Sequence, residues 1–400
     1  MYFLRYLLHL LVISIGKRGP LTNLFLTFIS SHNPSKAETH ILRVDQGLNC
    51  EKLHCVDELA DNVIKHVSFS FLRYELTEPL QLVDVHEAQE QLGKIIASPA
   101  RYNSWIKLLC LVFSAGCIAP LFFNGGLIEF VFSLISGLIV GLTSLLVEKF
   151  PVWARLCDPV SATLVSFVAK AAATTFTDLC FYTTVLSGII WLLPGLTLTI
   201  SVMELSTKNM VSGASRIFYA FLLLLQLGFG IALGNSLVVW NTTVSPEACG
   251  KTPVDPWWFI PLFLGTAIPF NILLDAHPRQ WPSMTVSSAI GVFLPFGLSY
   301  VIKDANLISF AGSFAIGIFG TIYSRYTKHP AIVPILSGII MLVPGSVGVR
   351  GVSTMLISND IVSGLNFTFQ MMFIALSITG GLLFAHVLVF PKKVLAPILL

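Results

Sequence analysis

From Trp105 onward the chain reads as one apolar stretch of about 20 residues after another, punctuated by Gly, Pro, Asn and charged clusters. That is the length a helix needs to cross a hydrocarbon core ~30 Å thick. The pattern places ten such stretches, at 104–123, 126–147, 159–177, 180–203, 214–240, 257–275, 281–302, 306–324, 331–357 and 365–390. Backbone groups in hydrocarbon must be satisfied internally, so all ten are expected to be helices, and the alternation of a membrane β-barrel is absent. The boundary between the third and fourth rests on Asp178.

Upstream the pattern changes. Over 37–103 a strand-like Thr39–Val44 is followed by apolar residues at helical spacing (Leu53, Val56, Leu59, Val63, and again between Val85 and Ile96). This predicts a small N-terminal domain of helical or α/β type. Residues 1–36 fit neither part. The apolar run Tyr2–Ile15 is interrupted by Arg5 and His9 and ended by Gly16-Lys17-Arg18-Gly19-Pro20. It is short for a span and lacks a clean cleavage site, so an interfacial or poorly ordered segment is expected.

Composition sharpens the division. Of 400 residues, 54% are hydrophobic and 11% charged, against about 25% charged in ordinary soluble chains. Eleven of the 21 acidic residues fall between Glu38 and Glu90, so a polar domain precedes a membrane domain. The net charge of +3 gives no case for nucleic acid. The basic residues flank apolar spans, where orientation in the lipid bilayer accounts for them. Seven cysteines without a CxxC pair suggest neither a disulfide framework nor a zinc site. His86 and Glu90, four apart, could ligate a metal, but the sequence places no third ligand. They read as a solvated helix face, and no metal or cofactor is expected.

The strongest signal is internal. Leu186-Ser-Gly-Ile-Ile-Trp-Leu-Leu-Pro-Gly195 recurs as Leu336-Ser-Gly-Ile-Ile-Met-Leu-Val-Pro-Gly345, identical at eight of ten positions, and Val211-Ser-Gly213 recurs as Val362-Ser-Gly364. A shared Ser-Gly and Pro-Gly at fixed spacing points to common origin of the two halves. Each half holds five spans, and an odd number turns the second copy upside down. The positive-inside rule agrees. One set of loops carries Arg101, Lys149, Arg155, Lys208, Arg216, Arg279, Arg325, Lys328, Lys392 and Lys393, while the other carries Lys251 and Lys303, with Arg350 at a membrane edge or inside. Both termini are therefore expected to be cytosolic. Asn241-Thr-Thr243, a glycosylation sequon, falls in a non-cytosolic loop close to a span end.

Proline in a helix removes one hydrogen bond and clashes with the preceding turn, and glycine beside it adds freedom. Two such breaks in corresponding spans of inverted repeats are the sequence pointer to a transporter's binding site. Candidate substrate contacts are therefore Ser187, Pro194, Gly195, Thr197 and Thr199 in the first copy, and Ser337, Pro344, Gly345, Ser346 and Arg350 in the second. The hydroxyls either bind substrate or satisfy backbone freed by the break. Arg350 either pairs with a substrate carboxylate or snorkels to the interface. Glu204 reads as an interfacial anchor. Glu129, Lys170 and His386 lie inside spans, where ionisable groups mark pathways or internal pairs, and they are the candidates for proton or ion coupling. Gly137/Gly141 and Gly230/Gly234 are GxxxG packing pairs.

These residues resemble the threonine/serine exporter-like family, in particular its fungal branch, the pheromone-regulated membrane proteins. The resemblance rests on Thr39-His-Ile-Leu-Arg-Val-Asp-Gln-Gly-Leu, Lys52-Leu, Val85-His-Glu-Ala88, Pro99-Ala-Arg-Tyr-Asn-Ser-Trp105, Phe122-Phe-Asn-Gly-Gly126, Glu204-Leu205 and both Pro-Gly segments. Residues 1–36 depart from it. The resemblance implies a cytosolic N-terminal domain, two fused five-span modules, and export of threonine and serine driven by an ion gradient.

The expected fold is thus an all-α polytopic membrane protein with ten transmembrane helices in two inverted five-helix repeats. Residues 1–36 form an uncertain segment and 37–103 a small N-terminal cytosolic domain. The repeats occupy 104–240 and 257–391 around a non-cytosolic loop at 241–256, with a cytosolic tail at 392–400. The expected function is secondary transport of a small amino acid, with protons as a coupling partner, in the plasma membrane or an endomembrane. A non-transporting membrane organiser is the alternative. Neither a nucleophile motif nor HExxH nor a phosphate loop argues for an enzyme.

Overall fold

The structure, a computed structural model, describes residues 12–17, 22–29, 37–44, 49–56, 90, 91, 93–95, 97–176, 178–238, 254–327, 329–343, 345–358 and 361–389. His86, Asn241, Pro344, most of the predicted N-terminal domain, the rest of the loop to residue 253 and the C-terminal tail lie outside them.

β1 (Val12–Lys17), β2 (Thr22–Ile29) and β3 (Ala37–Val44) form an antiparallel sheet in that order, with Val12 opposite Thr27 and Thr22 opposite Val44. β3 contains the expected strand. β1 and β2 fall where an interfacial segment was expected. Their β-branched and aromatic content (Val-Ile-Ser-Ile, Leu-Phe-Leu-Thr-Phe-Ile) suits a pleated surface.

Between Ser104 and Val389 the described residues hold twelve α-helices. These are α1 (Ser104–Phe123), α2 (Leu127–Lys149), α3 (Cys157–Thr175), α4 (Phe181–Gly188), α5 (Gly195–Ser206) and α6 (Met210–Leu237). Then follow α7 (Phe259–Leu273), α8 (Trp281–Ser299), α9 (Ala305–Thr327), α10 (Ile332–Leu342), α11 (Gly345–Ser358) and α12 (Ile361–Val389). By length and composition seven stretches can cross a membrane, or eight if the pair spanning α4 and α5, bent by 59°, counts as one. Ten were expected, and the difference lies at α3 and α7. Ala, Ser and Thr dilute the hydropathy of α3, which also carries Asp158 and Lys170, and α7 has 15 residues.

The packing pattern recurs along the chain. The pairs α2–α3, α2–α4, α3–α4, α3–α6 and α5–α6 return as α8–α9, α8–α10, α9–α10, α9–α12 and α11–α12. Details recur with them. Asn124 after α1 and Asp275 after α7 both adopt φ 51°, the left-handed region that Asn and Asp tolerate. A Cβ on Gly188 would lie 2.4 Å from Ser136 Cβ, and one on Gly338 would lie 2.5 Å from Ser287 Oγ. Gly230 faces Ala162 as Gly381 faces Ser313. Pro120 and Pro269 each close a Gly-x-x-x-Pro in α1 and α7, which escaped the sequence reading. α1 and α7 pack antiparallel: Lys107 Nζ near the start of α1 is 2.8 Å from Asp275 Oδ2 after α7, while Cys117 further along α1 abuts Gly265.

Residues 50–56 are helical and dock at the same end. The Cys50 N–H donates to Leu274 O (2.9 Å), Asn49 Nδ2 to Asp275 Oδ2 (3.4 Å) and the Tyr102 hydroxyl to Ala276 O (2.9 Å), and Arg101 pairs with Glu51. Cys180 is disulfide-bonded, a bond the cysteine spacing did not suggest. Glu90 is exposed and paired with Lys94 (2.7 Å), a solvated helix face. Among the described residues no group of three metal-ligating side chains occurs.

Two outcomes follow. Gly188→Ala is expected to destabilise the protein by about 1–3 kcal/mol through overpacking against Ser136, and Ser136→Gly should restore most of the loss. Thermal unfolding in detergent checks both, and an unrescued double variant counts against this contact. Second, burial, with a smaller contribution from Asp275, pushes the Cys50 thiol up to about 12. A raised value keeps the thiol protonated near neutral pH, so maleimide at about pH 8 should modify half-buried Cys55 well before Cys50. Equal rates would place residues 49–56 elsewhere.

Candidate functional site

The two Pro-Gly segments meet. A Cβ on Gly195 would lie 2.0 Å from Val343 Cγ1 and 3.0 Å from Gly345 Cα, and one on Gly345 would lie 2.9 Å from Leu193 Cβ. Any side chain at either position would push the segments apart. Glycine is thus required by close approach rather than by a special φ. Pro194 is the buried N-cap of α5, and its carbonyl accepts from Leu198 N (2.9 Å). A single 3₁₀ turn over Ile190–Leu192 bridges α4 to the break, with Leu192 N donating to Ile189 O (2.8 Å). The backbone freed by the break is therefore partly re-satisfied locally, as a water-poor interior demands.

Beyond the crossing each helix enters the other half. Leu196, Ile200 and Met203 of α5 join the core built by α8, α9, α10 and α12. Val349 and Val352 of α11 join the core built by α2, α3, α4 and α6. The 3₁₀ turn after α4, the end of α10 and the starts of α5 and α11 thus converge. Helix starts present N–H groups and partial positive charge, and helix ends present carbonyls and partial negative charge.

The candidate side chains divide into three groups. Ser187 and Ser337 are buried in helix packing. Ser187 Oγ donates to Thr183 O (2.7 Å) and lies 2.6 Å from Ser133 Oγ, and Ser337 Oγ donates to Met284 O (2.9 Å). Thr199 Oγ1 donates to Gly195 O (3.1 Å), one turn back in its own helix. Thr197 and Ser346, in the first turns of α5 and α11, are partly buried, and no hydrogen-bond partner is recorded for either among the described residues. Arg350 is exposed further along α11, its guanidinium 5.2 Å from the Tyr182 ring and 5.9 Å from the Phe367 ring.

The ionisable candidates do not gather at the crossing. Glu129 is buried with one oxygen accepting from Gly126 N (2.8 Å) and the other from Cys180 N (3.0 Å). It joins the start of α2 to the start of α4. Its counterpart Gln280 accepts from His277 N (3.2 Å) at the start of α8. Lys170 is half-buried in α3, and His386 is half-buried in the last turn of α12, where a cation suits the helix end. Glu204 accepts from Ser212 Oγ (2.7 Å) and pairs with Arg216 (3.3 Å), anchoring α5 to α6.

One feature escaped the sequence. An open cleft of about 340 Å³ is lined by Ser144, Val147, Cys157 and Asp158 at one end of α2 and α3, and by Trp191 and Leu192 of the first break. Asp158 sits beside Pro159 at the very edge of an apolar stretch, and the sequence analysis did not single it out. Its position at the start of the third span was the available signal.

Residues 20–238 match a family model described as "Putative threonine/serine exporter", and residues 260–388 match a second, "Threonine/Serine exporter, ThrE". The two divide at the segment between α6 and α7. Among curated proteins the chain is similar to Pheromone-regulated membrane protein 10 of Kluyveromyces lactis (27% identity over 378 residues, 89% of this chain and 38% of that protein). The proteins of the same description in Eremothecium gossypii (28%, covering 89% and 49%) and in Saccharomyces cerevisiae strain S288c (26%, covering 89% and 94%) are similar too. The chain spans less than half the length of the Kluyveromyces and Eremothecium proteins. No solved structure matches.

Glu129→Ala removes the acceptor of two buried N–H groups and is expected to cost about 2–4 kcal/mol, with Glu129→Gln losing less because one acceptor oxygen remains. Thermal unfolding of the two variants checks this. Equal stability of Glu129→Ala and the unaltered protein would show that the carboxylate does not hold the two helix starts.

Proposed function

The chain belongs to the threonine/serine exporter family, and from that membership we propose that it is a secondary transporter exporting a small zwitterionic amino acid of the threonine/serine type. The apposition of Gly195 and Gly345 carries the reading. Helix starts and helix ends converging on one point offer N–H groups to a carboxylate and carbonyls to an ammonium. Thr197 and Ser346 stand one residue or two past the glycines, with hydroxyls available to a hydroxylated side chain.

The mechanism is alternating access about this crossing. The recurrent packing, the antiparallel α1 and α7 and the bias of basic residues support two inverted five-span repeats with both termini cytosolic. In this arrangement α3 and α7 span as well, each turning an apolar stripe outward to lipid, Val160, Leu164 and Phe167 on α3 and Ile260, Leu264 and Ile268 on α7. Because α5 and α11 each pack on both halves, rocking of one half carries part of the other, which exposes the crossing to one side at a time. Among the coupling candidates, Lys170 and His386 keep that role. Glu129 is committed to the helix starts, where its contribution is positional.

Uptake of radiolabelled threonine and serine into proteoliposomes, with and without a pH gradient, tests the reading. A saturable, gradient-dependent flux is expected. Gly195→Val and Gly345→Val should each reduce it by at least tenfold, since the added side chain separates the breaks. Folded, inserted protein giving no flux above empty liposomes would reject transport of these substrates and leave an architectural role.

A further inference from the structure

We propose that Asp158 and Trp191 form a loading site for the substrate's ammonium group, in the cleft leading to the first break. The inference rests on the transporter reading and adds the residues that first engage the amino group.

Between Ser104 and Val389 four carboxylates among the described residues are not exposed: Glu129, Asp158, Glu204 and Asp275. Glu129 holds two backbone N–H groups, Glu204 holds Arg216 and Ser212, and Asp275 holds Lys107 and Asn49. Asp158 has neither a hydrogen bond nor an ion pair among the described residues. A carboxylate withdrawn from water without a partner is costly, and such a cost persists at sites that receive one from elsewhere. The cleft it lines is open and large enough for a small amino acid, and its other wall is the break itself at Trp191 and Leu192.

The repeat isolates these two residues. In the ten-residue segment shared by the copies only two positions differ, and one of them is Trp191, replaced by Met341 in the second copy. The constant spacing that relates Asn124 to Asp275 relates Asp158 to Ser309, which is buried in α9. Carboxylate and indole are thus both present in the first copy and both absent from the second. Together they suit a primary ammonium, which donates a charge-assisted hydrogen bond to the carboxylate and makes a cation–π contact with the indole. The cleft lies beside Lys149 and Arg155, on the face the charge bias assigns to the cytosol, where an exporter meets its substrate.

Cys157 lines the same cleft and is a free thiol, which provides a readout independent of flux. In inside-out vesicles, a membrane-impermeant methanethiosulfonate should modify Cys157, followed by peptide mass spectrometry. Threonine and 1-amino-2-propanol, which keeps the ammonium and lacks the carboxylate, should slow modification. 3-Hydroxybutyrate, which lacks the ammonium, should not. Asp158→Asn should abolish the protection and raise the KM for threonine by about ten- to a hundredfold, the loss expected for one charged hydrogen bond. Asp158→Glu should retain most of both, and Trp191→Met should weaken protection without removing it. Normal threonine flux with an unchanged KM in Asp158→Asn would overturn the site and leave the transporter reading intact. Failure of the reagent to reach Cys157 in the folded protein would overturn it too, by making the cleft lipid-facing. Protection by 1-amino-2-propanol without any threonine flux would keep the ammonium site and remove the threonine reading instead.

Discussion

A helix broken inside an apolar bundle exposes backbone that lipid cannot satisfy, and this constraint shapes the rest of the molecule. The first break meets it with a 3₁₀ turn, with the Pro194 carbonyl taken by Leu198 N, and with a second break placed against it. The last device works only if neither segment carries a side chain at the meeting point. Gly195 and Gly345 are therefore the pair on which the reach of α5 and α11 across the two cores depends. Beyond the crossing each of these helices packs on both halves, so that each core includes side chains from the other.

The Ser-Gly shared by the two copies serves the same end from the other side. Gly188 lets α4 press on α2 at Ser136, and Gly338 lets α10 press on α8 at Ser287. Ser187 and Ser337 turn their hydroxyls to neighbouring backbone and side-chain acceptors. The segment before each break is thus clamped and the segment after it reaches across. That contrast fits a device in which motion is confined to the crossing.

Much of this was legible in the sequence, because lipid imposes length and the repeat imposes correspondence. Every stretch placed by hydropathy coincides with a helix or a broken pair, and the first broken pair bends between Gly188 and Ile190, ahead of Pro194-Gly195. What was not legible is which residues meet across the chain. Glu129 looked like a titrating group in a span because the sequence shows its depth but not its acceptors, the N–H groups of Gly126 and Cys180. Ser187 and Ser337 looked available because the sequence cannot say which way a hydroxyl points on a helix packed on several sides. α3 and α7 passed as spans by eye, while one is diluted by small polar residues and the other stops at 15. β1 and β2 read as an interfacial run since hydrophobicity outweighed their β-branched content.

Correspondence between the copies then separates scaffold from chemistry. Where the copies agree, as at Gly188 and Gly338, Gly195 and Gly345, or Asn124 and Asp275, the shared feature is a close approach or a turn, which any duplicated fold must keep. Where they differ, the residue is free of that architectural demand in at least one copy. Glu129 against Gln280 is a difference without consequence for packing, since both side chains accept at a helix start. Asp158 against Ser309 and Trp191 against Met341 are of another kind, because each replaces charge or aromatic surface with a group that cannot hold a cation as well. A protein of two matched halves has no direction of its own. Its direction must come from the positions at which the halves do not match, and in this chain two of those positions line one cleft.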